Sequence, residues 1–118
     1  MCVINDIIPY IVKLDAQNRQ RRLKRIQDRL EFNKMLLAEA QDEMNDTQKE
    51  YEIHIKDQTW ERKEHERRRQ SLLQMMALDR EEVEEYKSHV SELQNELELE
   101  LKVRKERADT IRETLYNI

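Results

Sequence analysis

The sequence has no glycine, one proline (Pro9), one cysteine (Cys2), and only 5% aromatic residues in 118. About eight glycines would be usual at this length. Glycine is the default residue for positive φ, so its absence argues against tight two-residue hairpins. It also excludes the glycine loops that cradle phosphates or dinucleotides, and with them most sheet-based enzyme folds. One cysteine permits neither an internal disulfide nor a zinc site of paired cysteines. Long hydrophobic runs are missing as well. The longest covers residues 7–12 and is broken by Pro9, too short for a signal-peptide core or a membrane span. Residue 2 is not glycine, and the final Leu-Tyr-Asn-Ile is not a prenylation box. These features suggest an intracellular protein of the cytoplasm or cytoskeleton, without membrane insertion.

Charge is abundant: 41% of residues are Asp, Glu, Lys or Arg, and mean hydropathy is −1.06. Such a composition invites disorder, but 22 bases nearly offset 26 acids and the apolar residues recur with helical period. The expected fold class is all-α: one very long, largely continuous helix of coiled-coil type, with a long helical hairpin as the alternative, and no sheet or globular core. The charge falls in blocks of alternating sign: net +4 over 1–30, −5 over 31–60, +2 over 61–80, −7 over 81–100 and +2 over 101–118. Alternating blocks favour pairing in register with a complementary rod.

Four segments follow. Residues 1–6 read as an irregular arm, with Asp6 as N-cap and Pro9 in the first helical turn. Residues 7–55 form a first helical segment. Placing Leu23 at position a gives a seam of Leu23, Ile26, Leu30, Asn33, Leu37, Ala40, Met44, Thr47 and Tyr51. Residues 56–71 form a charged middle; from just before it, His54, Gln58, Glu61, His65 and Arg68 occupy successive seam slots. Residues 72–118 form a second helical segment, opening with Leu72 and carrying Val83, Tyr86, Val90, Leu93 and Leu97. After a four-residue step, Leu101, Ile111 and Leu115 continue it, the signature of a stutter. Thr47-x-x-Glu50 and Ser71-x-x-Gln74 match a capping box. Alternating Leu97, Leu99, Leu101 and Val103 fit the strand template, though their flanks are helical.

Chemistry has little to work with. His54, His65 and His89 lie 11 and 24 residues apart, too far for ligands on a single helix, where spacings of three or four are needed. No catalytic residue, metal site, cofactor or small-molecule substrate is implied. The six bases in 19–29 suggest contact with an acidic protein surface through Arg21, Arg22 and Arg25. A nucleic-acid reading is disfavoured because Leu23 and Ile26 interrupt the block at seam spacing and base-reading Asn and Ala are missing. Phe32, Ile53 and Trp60 fall at position c, outside the seam, and mark a second partner surface. With polar slots thinning the seam, the chain is expected to depend on another coiled-coil or filament protein for full helicity.

The segment Arg67-Arg68-Arg69-Gln70-Ser71-Leu72-Leu73-Gln74-Met75-Met76-Ala77-Leu78-Asp79-Arg80-Glu81-Glu82-Val83-Glu84-Glu85-Tyr86, running on to Ser91-Glu92-Leu93, resembles short helical proteins of ciliary and flagellar axonemes. Those proteins carry an arginine pair, a Leu/Met cluster, then acidic residues, a tyrosine and Glu-Leu, and they line or decorate microtubule doublets. The resemblance covers residues 67–93. It implies a non-enzymatic, coiled-coil, structural role in a cilium or flagellum, with tubulin or neighbouring filament proteins as partners. It assigns no functional residue.

Overall fold

The structure, a computed structural model, describes the backbone of residues 3–117 and the side chains of 7–117. It consists of two α-helices, α1 (Val3–Lys56) and α2 (Arg62–Tyr116), and no strand occurs among the described residues. Helices of this length and polarity gain most of their stability from burying a stripe, and here each helix lends its stripe to the other.

The chain divides into two compact units, Met1–Glu31 with Glu92–Ile118, and Phe32–Ser91. In the first, Leu23, Ile26 and Leu30 of α1 and Leu93 and Glu100 of α2 are buried. Asp15 pairs with Arg107 and Arg19 with Glu100, so the two stretches run antiparallel. The second unit is a helical hairpin whose buried residues are Ala40, Thr47 and His54 on α1 and Leu72, Val83 and Val90 on α2. Leu72 is 0% exposed. The Thr47 hydroxyl is satisfied by donating to the Glu43 carbonyl at 3.0 Å. The hydrophobic seam is therefore one stripe wide in each unit, and no globular core forms among the described residues.

The hairpin, not the single continuous helix, is the arrangement adopted. The break occupies only residues 57–61, so the charged middle expected at 56–71 is mostly the opening turns of α2. Neither capping-box match marks a terminus: Thr47 and Ser71 both lie inside helices. Asp57 stops α1 instead. It needs no glycine, because no φ among the described residues is positive. The irregular arm is also corrected. Residues 3–6 are helical, Asp6 lies within α1 and Pro9 is interior to it, while residues 1–2 fall outside the described residues. Pro9 lacks the N–H that would bond to the carbonyl four residues back, so α1 runs through it one hydrogen bond short. Residues 97–103 are helical, which removes the strand alternative. Leu101 is 47% exposed and Glu100 is buried in its place, so the four-residue step expected at Leu101 is not taken there.

Candidate interaction surfaces

The turn is built on Asp57. Its N–H donates to the His54 carbonyl at 3.1 Å, tightening the last turn of α1. Its Oδ1 accepts the Thr59 N–H at 2.9 Å and the Thr59 hydroxyl at 2.6 Å, and its Oδ2 accepts the Trp60 indole N–H at 3.0 Å. An aspartate bonding the backbone two residues on is a turn device that competes with helix. The Thr59 hydroxyl, then the Thr59 N–H, hold the Asp57 carboxyl below the usual aspartate range. Trp60 therefore belongs to the turn and not to an outer helical stripe. Its ring meets His54 edge-on, with centroids 5.0 Å apart.

His54 and His65 face each other across the turn. Their rings stack with centroids 4.1 Å apart and planes 19° apart. The Nε2 of His54 lies 2.8 Å from the His65 carbonyl, and the Nε2 of His65 lies 2.9 Å from the His54 carbonyl. A carbonyl only accepts, so both rings donate from Nε2. Spacing on a single helix had kept these histidines apart; the hairpin brings them together as a reciprocal clasp. Arg68 of α2 reaches back to Glu50 of α1 at 3.4 Å. Along α2, Arg69 donates to the Glu66 carboxylate at 2.8 and 3.0 Å. Hydrogen bonds from Arg69, then Gln70, hold the Glu66 carboxyl at about 2.

The residues read as a seam divide by burial. Leu23, Ile26, Leu30, Ala40, Leu72, Val83, Val90 and Leu93 are buried, and Leu37, Met44, Tyr51, Tyr86, Leu97, Ile111 and Leu115 are half-buried. The surfaces they cover belong to this same chain. The basic block likewise finds its first acidic surface at home: Arg19 pairs with Glu100 at 3.1 Å and Arg22 approaches it at 3.9 Å. Glu100, which belongs to the strongly acidic block 81–100, is buried.

The residues read as partner-binding stay outside. Phe32, Ile53 and Trp60 are exposed, Ile53 by 69%, and so are Arg21, Arg22 and Arg25. Phe32, Met35 and Ile53 sit on the outer side of α1 within the hairpin unit. Sequence reasoning passed over one further grouping: Glu43, Asp79 and Glu82 place carboxylate oxygens within 4.8 Å of one another. The Oδ2 of Asp79 is buried there without a hydrogen-bond partner. Hard divalent cations take such oxygen ligands, and without one the three like charges repel. Only the antiparallel register places Glu43 beside α2. No family model, curated protein or solved structure matches the chain.

Proposed function

We propose that the chain is a non-enzymatic structural protein of coiled-coil type, a strut or ruler in a cytoskeletal assembly, with the ciliary or flagellar axoneme as its place. The observation that carries this reading is that α1 is apolar on two sides. One side is closed against α2, and the other leaves Phe32, Met35 and Ile53 exposed. A helix with a second apolar face packs against a second partner. The use made of the buried polar groups supports the non-enzymatic part. Glu100 is matched by Arg19, Thr47 by the Glu43 carbonyl and His54 by the His65 carbonyl, so these groups serve the packing of the two helices. The axonemal part rests on the resemblance of residues 67–93, which favours tubulin or neighbouring filament proteins as partners.

Co-sedimentation with assembled microtubules tests this directly, with duplex DNA as the comparison. Saturable, salt-sensitive microtubule binding that weakens on replacing Phe32 and Ile53 with serine is the expected result. Tight DNA binding without microtubule binding would overturn it. A tagged chain found at kinetochores or trafficking intermediates instead of cilia would favour the alternative, a coiled-coil adaptor or tether in another multiprotein complex.

A further inference from the structure

The outer side of α1 near its start is a separate surface, and it lies wholly within the unit formed by Met1–Glu31 and Glu92–Ile118. Ile7, Ile11, Leu14, Asn18, Arg21 and Arg25 recur at alternating steps of four and three, so they form one row along the helix. All six are exposed, and Tyr10 stands exposed beside them. The row is about 27 Å long at the usual helical rise. Its first half is apolar and its second half is cationic. Lys13 and Lys24 flank it on one side and Arg22 on the other, also exposed.

The acids are as informative as the bases. Asp15 is the one carboxylate between residues 7 and 25, and it turns inward to Arg107 at 2.9 Å. Arg19 likewise turns inward to Glu100. Residues 7–25 thus present outward four large apolar side chains and the bases Arg21, Lys24 and Arg25, with no acid among them; Lys13 and Arg22, also exposed, lie at the edges, where Lys13 borders the groove toward α2 and Arg22 approaches Glu100 at 3.9 Å. Ile8 and Val12 face a groove shared with Leu115 and Tyr116, so the outward apolar row is additional to the one that packs on α2.

We infer that this face of α1 adsorbs onto an anionic lipid surface, lying in the plane of the interface. Charge complementarity names the occupant, since apolar side chains beside a cluster of Lys and Arg on one helix suit the headgroup boundary of an anionic leaflet. The spread of the bases selects a plane over a partner helix. A helix touches a narrow stripe, whereas Lys24 stands on the flank of the row that carries Arg21 and Arg25, and the three reach headgroups together over a flat surface. Phosphate alone, as in a nucleic acid, would leave Ile7, Ile11 and Leu14 against charge. The helix lies on the bilayer and does not cross it: no helix among the described residues is long and apolar enough to span a membrane.

The test is flotation of the full chain with vesicles of phosphatidylcholine alone and of phosphatidylcholine with phosphatidylserine. Binding to the anionic vesicles, little binding to the neutral ones, and loss of binding at high salt are expected. Arg21→Gln with Arg25→Gln should weaken binding about 30-fold, at roughly fivefold per base. Ile11→Ser with Leu14→Ser should weaken it about tenfold through lost apolar burial. These side chains are exposed, so helicity by circular dichroism should be unchanged. Equal binding to both vesicle types, no binding to either, or full binding by the serine variant would each overturn the inference. So would a dimer in sedimentation that the serine variant dissolves, because a second copy would then cover the face. The lipid comparison on the unsubstituted chain stands even if a substitution disturbs α1.

Discussion

Replacing His54 and His65 with alanine, singly and together, tests whether the turn is held by their reciprocal clasp. Each ring donates one hydrogen bond to the other residue's carbonyl, at 2.8 and 2.9 Å, and the two share one stack with centroids 4.1 Å apart. A hydrogen bond of this kind contributes about 1 kcal/mol net, and an aromatic stack about 1 kcal/mol. His54 also makes the edge contact with Trp60, another ~1 kcal/mol. His54→Ala therefore removes about 3 kcal/mol and His65→Ala about 2 kcal/mol. The better helix propensity of alanine returns about 0.5 kcal/mol at each site. The double variant loses both hydrogen bonds and the Trp60 contact, but the stack only once. Its cost should fall about 1 kcal/mol short of the sum of the singles, and that difference is the stack itself. Urea unfolding followed by far-ultraviolet circular dichroism at neutral pH measures all three. Strictly additive singles, or a double variant as stable as the parent, would refute the clasp.

Leu72→Ala at the fully buried seam position should cost about 3 kcal/mol, while Leu99→Ala on the exposed side should cost under about 0.5 kcal/mol; chemical denaturation compares them. Glu100→Ala strands Arg19, whose side chain is only 15% exposed, and should cost about 3 kcal/mol. The paired change Arg19→Leu with Glu100→Leu should be neutral or stabilising by the same assay. Asp79→Asn supplies a donor among three like charges and should raise the melting temperature, whereas an unchanged or lower value would count against the cluster as a source of strain. Glu66, held at about 2 against an ordinary 4.5, contributes stability that is present above pH 4.5 and lost as pH falls toward 2. Glu66→Gln should flatten that part of the acid-unfolding curve, and a curve that superimposes on the parent's would contradict it.

The helical state, the missing sheet and the identity of the buried stripe were legible in the residues alone. Period and composition are local properties, and they hold whether the partner across the seam is another chain or the same one. Leu23, Ile26 and Leu30 had to be covered by something, and Val83, Val90 and Leu93 likewise. Outward placement of Phe32, Ile53, Arg21 and Arg25 followed from the same heptad, because a residue's face is set by its spacing. What covers the stripe was a tertiary decision. The sign for it was the run of polar seam slots from His54 to Arg68, which looked like a defect in a continuous helix and is where the chain reverses. The stop itself is carried by the side chain of Asp57 acting on Thr59 and Trp60, with no glycine or proline to announce it. The clasp of His54 with His65, the burial of Glu100 against Arg19 and the convergence of Glu43 with Asp79 and Glu82 all join residues far apart in sequence. Only the antiparallel register brings such residues within bonding distance, since periodicity gives each side chain a face and says nothing of which residue stands opposite.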